Sequence, residues 1–308
     1  MRRRRLGRTG IEVGEVGLGG AWLLGREGNE AEAHGIAIVR HALSLGVDFI
    51  DTAECYIGSR SERIIGKALR DHPGSVVLGT KVGHVPEAFD WSSEAVIDSC
   101  LASLERLAVP AVDILHLHTP AEPLLESLTR NGGALDGLRT LRDRGLVRWF
   151  GITGRDLGFL RRCVDTDAFD TLLVFQRWDL LEQSALVLFN EARSRDMGII
   201  AASPLRLGLF GSARPALLSS LDASDRDQVL TLEALLADEP GGVPAAAIRF
   251  VLSSTQVSVV LSGASSASEI DTAVKAAAEP PLRQEFIDAV VQLGAGRVRA
   301  LQIGRAHV

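Results

Sequence analysis

Phe49-Ile-Asp-Thr-Ala-Glu-Cys-Tyr56, with Ser61-Glu-Arg-Ile-Ile-Gly-Lys-Ala-Leu69 behind it, decides how the rest of the chain is read. An apolar run closes on an aspartate, a tyrosine follows five residues later, and a helix then opens. Further along, Val76-Val-Leu-Gly-Thr-Lys81 closes on a lysine and Ile114-Leu-His-Leu-His118 on a histidine. Each of these side chains stands at or just past the C-terminal end of an expected strand. In a parallel α/β barrel such positions gather at one mouth, where the fold carries its chemistry.

Outward from this stretch, strand and helix alternate. Helices are expected over 30–45, 61–69, 93–107, 134–144, 157–164 and 184–195, and strands over 16–20, 47–51, 76–81, 112–118, 147–153, 171–175 and 198–202. A polar stretch, 203–225, breaks the rhythm. Helices near 229–236 and 244–252 follow, then a strand over 256–261 and helices over 268–277 and 281–293. Several strands are unbroken apolar runs, as a parallel sheet covered on both faces requires. Eight such units predict an α/β fold, a (β/α)8 TIM barrel with a short N-terminal β-hairpin over 5–13 and extra helices near the C-terminus. A doubly wound dinucleotide fold would carry G-x-G-x-x-G at its first turn, and Gly17-Leu-Gly-Gly20 lacks the third glycine. No linker divides the chain, so a single domain over 1–302 is expected. The last six residues, 303–308, match the translation of a common sequencing adapter and read as a non-native tail. Resequencing the source gene tests this; a genomic continuation encoding the same residues refutes it.

The chain has 308 residues, 46% of them hydrophobic, enough for a sizeable core. A formal net charge of −6 argues against nucleic acid or an anionic membrane as partner, since both demand a basic face. Met1-Arg-Arg-Arg-Arg5 is basic, but the apolar stretch of a signal peptide does not follow. Cys55, Cys100 and Cys163 are odd in number and far apart, which suggests neither a disulfide framework nor a zinc motif. A cytoplasmic protein acting on a small molecule is expected.

The four strand-end residues suit proton delivery. Tyrosine is a poor acid at neutral pH, with a reference pKa of about 10. A lysine ammonium beside it stabilises the phenolate and is expected to bring that pKa toward the working range. An aspartate would hold the ammonium in place and charged. A neutral histidine could donate to a substrate oxygen. Such a set serves hydride addition to a carbonyl, or the reverse oxidation of an alcohol. Usage supports a purpose: Tyr56 is the one tyrosine beside ten Phe and four Trp, and Lys81 is one of three lysines in a chain with 33 Lys and Arg. Arginine cannot shed its proton, so lysine at this strand end points to ammonium chemistry.

FIDTAECYIGSRSERIIGKAL, VVLGTKVG and VDILHLHTP resemble signature segments of the aldo-keto reductase family, and the similarity runs from Arg5 to about Ala278. The resemblance implies a (β/α)8 barrel, a nicotinamide cofactor and no metal. It implies Tyr56 as general acid/base, Lys81 and Asp51 as its tuning pair, and His118 as the residue that orients the substrate carbonyl. Gly151-Ile-Thr-Gly154 resembles the family's G-V-S-N, with Thr153 in place of Ser and no side chain at Gly154 for the carboxamide; Gln176 is the expected substitute. Ala201-Ala-Ser-Pro-Leu205 resembles A-Y-S-P-L, whose aromatic stacks on nicotinamide; Ala202 cannot, and Trp178 is the expected replacement. Ser203, Leu205 and Gly208 are implied cofactor contacts in this segment.

Ser262-Gly-Ala-Ser-Ser266 resembles the family's phosphate-binding turn at a helix N-terminus, so Gly263 and Ser265 are implied contacts. Members that prefer NADPH commonly place an arginine here, and Ala273 stands where an adenine-facing Asn is usual. NAD or NADP is therefore expected, with the balance toward NAD. FDWSSEAV, DILHLH and GITG resemble the branch of L-galactose, L-fucose and threo-aldose 1-dehydrogenases, which oxidise a sugar hemiacetal to a lactone. Trp22, Phe89, Trp91 and Trp178 are the expected substrate-pocket residues, in loops that also carry His84, Glu122 and Arg206. The alternative within the same chemistry is a general NADPH-dependent aldehyde or ketone reductase.

Two readings belong to other classes. His116 and His118 form an H-x-H whose side chains share one side of a strand, a pair that metal-dependent hydrolases use on this fold; no further ligand cluster is apparent in the sequence, and His116 reads as a hydrogen-bonded core residue. A non-catalytic, nicotinamide-binding regulatory subunit is the other; the complete set of four argues against it. Cys55, next to Tyr56, reads as a small apolar filler rather than a redox thiol.

Overall fold

The computed structural model describes residues 1–24, 30–83, 90–118 and 125–294. Phe89 and the tail 303–308 lie outside them. Eight parallel strands close into a barrel: β3 (Val16–Gly19), β4 (Phe49–Asp51), β5 (Val77–Val82), β6 (Val112–His118), β7 (Val147–Gly154), β8 (Thr171–Phe175), β9 (Gly198–Ala202) and β10 (Val259–Gly263). They pair in chain order, and β10 closes on β3. The helices α1 (Ala31–Ser44), α2 (Arg60–Leu69), α3 (Ser93–Leu107), α4 (Leu125–Thr129), α5 (Ala134–Asp143), α6 (Leu157–Asp165) and α7 (Leu186–Ser194) lie between successive strands. After β9 come α8 (Arg214–Ser220), α9 (Ala223–Leu236) and α10 (Gly242–Ser253), and after β10 come α11 (Ala267–Ala278) and α12 (Gln284–Gly294).

The alternation in β6 shows why the sequence builds this shape. Leu115 and Leu117 join the large core between barrel wall and helices, while Ile114 belongs to a second, interior cluster with Phe49, Leu173, Ile200, Val259 and Leu261. His116 and His118, in step with Ile114, continue the interior face upward. Helix starts follow local chemistry: Ser92 accepts from the Ala95 N–H to open α3, and Asp156 accepts from the Phe159 N–H to open α6. Each such cap contributes about 1 kcal/mol.

The strands Arg3–Arg5 (β1) and Glu12–Gly14 (β2) pair antiparallel, and Leu6 and Val13 seal the interior cluster from below. The basic N-terminal run is consumed in this closure. Arg2 and Arg4 pair with buried Glu15, Arg3 with Asp48, and Arg5 with Asp196. Arg4 also donates to the carbonyls of Leu252, Ser254 and Val257.

Two segments differ from expectation. The polar stretch after β9 contains α8, whose apolar residues Leu217 and Leu218 pack on the main core although its serines and proline read as loop. The last barrel strand begins at Val259 rather than 256, because Gln256 and Val257 belong to a turn in which the Val257 N–H bonds to the Ser254 carbonyl.

Candidate active site

Asp51 ends β4, Lys81 lies one residue from the end of β5, and His118 ends β6, so three neighbouring strands bring them to the same mouth. Tyr56 arrives from the loop after β4. There Ile57 and Ser59 both have left-handed backbone, at φ of 55° and 65°, which folds the chain back over the mouth. Lys81 Nζ pairs with Asp51 Oδ2 and donates to the Thr52 carbonyl at 2.7 Å. It stands 4.6 Å from the centroid of the Tyr56 ring and hydrogen-bonds its phenol. The Tyr56 and His118 rings meet edge to face with centroids 5.7 Å apart. The four residues form one contiguous cluster.

Its electrostatics depart from expectation in one respect. Burial pushes the Tyr56 phenol above its usual pKa, and the downward pull of Lys81 does not outweigh it. Removing water penalises the phenolate more than one ammonium, itself neutralised by Asp51, can repay. Burial also raises the Asp51 carboxyl, against the opposing effect of Lys81. For Lys81, burial works to lower the pKa, but Asp51 and Tyr56 together hold the ammonium above its usual value.

Cys55 enters the cluster in a way its sequence position did not suggest. Its Sγ lies 3.5 Å from His118 Nδ1, and burial pushes its thiol up to about 11. The thiol therefore keeps its proton at neutral pH. An S–H donating to Nδ1 places the ring proton on Nε2.

The other expected site residues distribute unevenly. Thr153, next to last in β7, is in register with His118 and is buried. Gln176 follows β8 with φ of 56°, and its Oε1 accepts from Arg155 Nη1 at 3.3 Å. Ser203 and Gly208 have left-handed backbone at φ of 63° and 94°, and half-buried Leu205 lies between them. Exposed Trp22 spans the rim at Gly263, where a Cβ would come 2.7 Å from its Cδ1. Trp91 is 4% exposed and packs its ring against Gly83, just past β5.

Trp178 is a correction. It stacks on Phe250 at 5.5 Å, meets Phe189 edge-on at 6.0 Å, and donates its indole N–H to the Val251 carbonyl. It therefore belongs to the packing between the barrel wall and α7 and α10, not to the mouth. Arg206 is likewise spent inside the fold: it is 2% exposed, paired with Asp179 at 2.7 Å and bonded to the Gln176 carbonyl.

At the start of α11 the Ser265 backbone N–H and hydroxyl both donate to Glu269, at 2.7 and 3.0 Å, and Ser212 donates to the other Glu269 oxygen. Ser266-Ala-Ser-Glu269 has the serine-to-glutamate spacing of a capping box, but Ser266 makes no side-chain cap and Glu269 reaches Ser265, one residue earlier.

The residues present fit a flat dinucleotide. The rim formed by the ends of β9, β10 and β3 carries Ala202, Gly263 and Gly19, with Trp22 beside it and a helix N-terminus behind it. Among the described residues no three His, Cys, Asp or Glu side chains converge as a metal ligand set would. No described helix is long and apolar enough to cross a membrane.

Comparison with known proteins places this geometry. The model of the aldo/keto reductase family matches residues 15–295. The chain is an aldo/keto reductase. It is thereby an NAD(P)-dependent oxidoreductase. This aldo/keto reductase is 32% identical over 282 residues to L-galactose dehydrogenase of Arabidopsis thaliana, covering 90% of this chain and 88% of that protein. It is 29% identical over 307 residues to D-threo-aldose 1-dehydrogenase of a Pseudomonas species, covering 89% and 92%. In fold it is similar to an aldo-keto reductase of Bacillus halodurans in its holo form, with a TM-score of 0.82, 23% identity, and coverage of 99% of this chain and 100% of that one.

Proposed function

We propose that this protein is an NAD-preferring aldose 1-dehydrogenase in which Tyr56 is the general acid/base. The carrying observation is the contiguous Asp51–Lys81–Tyr56–His118 cluster at one end of the barrel. When bound, nicotinamide supplies the hydride acceptor in oxidation and the donor in reduction. The His118 Nε2–H, its tautomer set by the Cys55 thiol, holds the substrate oxygen. As the C1 hydroxyl of a cyclic sugar becomes a carbonyl, its proton passes to the Tyr56 oxygen, which must first release its own to become the phenolate, because burial holds it as the phenol at neutral pH. In reduction the phenol gives its proton directly to the carbonyl oxygen. The Lys81 ammonium offsets charge on that phenolate, and Asp51 keeps the ammonium fixed and protonated. Thr153 and Gln176 are the proposed carboxamide partners, and the 202–208 segment with Gly263 lines the cofactor groove.

Sequence kinship to two sugar dehydrogenases over about nine-tenths of the chain supports the sugar substrate. Glu269 supports the cofactor preference. Its carboxylate already accepts the Ser265 donors, and a 2′-phosphate brought to this helix start would meet negative charge where a ribose hydroxyl would meet an acceptor. Turnover of L-galactose, L-fucose and D-arabinose, followed by absorbance of the reduced cofactor, is expected to be rapid with NAD and slower with NADP. NADPH-dependent reduction of simple aldehydes without sugar oxidation would overturn the substrate assignment. Glu269→Arg should move the NAD/NADP ratio of kcat/KM by about tenfold or more toward NADP, the scale of one charge contact; an unchanged ratio would refute the role of Glu269.

A further inference from the structure

Below the mouth, the barrel interior holds a histidine that the proposed chemistry does not use. His116 is fully buried, and its Nε2 lies 3.2 Å from the Thr171 hydroxyl. Its Nδ1 faces Asp51 Oδ1 at 3.8 Å, neither atom has a partner within hydrogen-bond distance, and the Thr80 backbone carbonyl also lies toward the ring. The gap is about 0.6 Å beyond the longest ordinary N–H···O bond, a distance that a small side-chain torsion closes. Two orphaned polar atoms facing each other in a dry interior are costly apart and favourable together.

The surrounding sheet is shaped for this contact. Lys81, His116, Gly151 and Thr171 are successive register partners on β5, β6, β7 and β8. Gly151 stands between His116 and Thr171, and a Cβ there would run into the imidazole and come 2.6 Å from Thr171 Oγ1. Its missing side chain is what lets the ring cross the layer. Gly79 does the same for the carboxylate, since a Cβ there would lie 3.3 Å from Asp51 Oδ1. Chemistry then selects the tautomer. Asp51 Oδ1 can only accept, and the Thr80 carbonyl also favours a proton on the ring, so Nδ1 carries the hydrogen and Nε2 accepts from the Thr171 hydroxyl.

We propose that His116 is a positioning residue: through its Nδ1–H it holds the second oxygen of Asp51, completing a line Thr171–His116–Asp51–Lys81–Tyr56 from the barrel interior to the reacting oxygen. The line rests on the assignment of Tyr56 as acid/base. Asp51 Oδ2 serves Lys81, and Oδ1 would otherwise be buried with nothing to stabilise its charge. Without the His116 donor the Asp51 carboxylate is less stabilised and takes up a proton more easily. Because its negative charge opposes ionisation of the phenol, its loss leaves Lys81 acting on Tyr56 unopposed and makes Tyr56 a stronger acid. The groups facing Tyr56 are Lys81 on β5, Asp51 on β4, His118 on β6 and neighbouring Cys55, and His116 reaches it through the Asp51–Lys81 pair alone.

The test is the pH profile of kcat for alcohol oxidation, where Tyr56 must be unprotonated. His116→Leu removes both ring contacts, whereas His116→Asn keeps an N–H donor near the Nδ1 position. In His116→Leu the limb assigned to Tyr56 should move down by about one pH unit, a tenfold gain of kcat at pH values below it, with cofactor Kd unchanged, and an upward move would refute the proposal. In His116→Asn it should stay within about 0.3 unit of the parent. Uniform loss at all pH values with an unmoved limb would overturn the proposal. Because His116→Leu could fail to fold, a second measurement uses the unaltered protein. Its 15N-labelled histidines, with His116 assigned by its absence in His116→Asn, should show a neutral Nδ1–H tautomer. An Nε2–H tautomer at His116 would refute the line even if Tyr56→Phe abolishes turnover. An unaffected Tyr56→Phe enzyme would instead remove the acid/base assignment beneath it.

Discussion

The two halves of the barrel mouth are built on opposite plans. From β4 to β6 the strand ends carry Asp51, Lys81 and His118, with His116 beneath them, and the first three cluster with Tyr56. From β9 through β10 to β3 they carry Ala202, Gly263 and Gly19, and Trp22 lies against Gly263. One half places fixed charge around a phenol; the other presents alanine and glycine, with Trp22 over Gly263, and is where the proposed reading lays the cofactor. On the proposed reading, the contrast separates proton handling from cofactor accommodation by strand position. A change in one half should then disturb one function and spare the other.

The sharpest break is Tyr56→Phe. It removes the proton carrier but little volume, so kcat should fall by about 10²- to 10⁴-fold while cofactor Kd stays nearly constant; a retained kcat would end the assignment. Next in size is acid sensitivity, which the charged half alone should carry. Burial, reinforced by Lys81, pulls the His116 pKa down to about 3, so this ring stays neutral in the folded protein where the unfolded chain takes up a proton. Stability from this group is complete above the unfolded value near 6.5 and declines as pH falls toward 3. Between pH 7 and 5 the parent should lose about 2 kcal/mol that His116→Leu does not, measured by urea denaturation. Equal losses would show that the ring is protonated in the fold. The smallest effect belongs to the open half. Gly263→Val intrudes on the rim under Trp22 and should raise the KM for cofactor about tenfold, a contact-sized loss, leaving kcat and the pH limb in place. A displaced limb would mean that the halves are not separable.

The charged half was the more legible one. Asp51, Lys81 and His118 could be placed together because strand ends are readable from apolar runs that stop, and the parallel fold then brings those ends to one rim. What was not legible depends on directions that a linear sequence does not hold. Trp178 follows a strand end as Tyr56 does, yet the chain there turns outward, toward Phe189 and Phe250. The phenol of Tyr56 has its lysine neighbour, but the balance against burial depends on how much water the closed loop removes. Glu269 stands at capping-box spacing from Ser266, and its bearing on a phosphate emerges only when its oxygens are seen on Ser265. Pairing of His116 with Asp51 required the register that sets Gly151 between two polar side chains.

That glycine has a consequence for descent. A ring at 116 needs an empty 151, and once 151 has gained a methyl group the imidazole has no room to return. The two positions should therefore change together across related sequences: histidine at the first with glycine at the second, or a smaller or more flexible residue at the first with freedom at the second. Lineages that crossed this step would be unable to retrace it one substitution at a time.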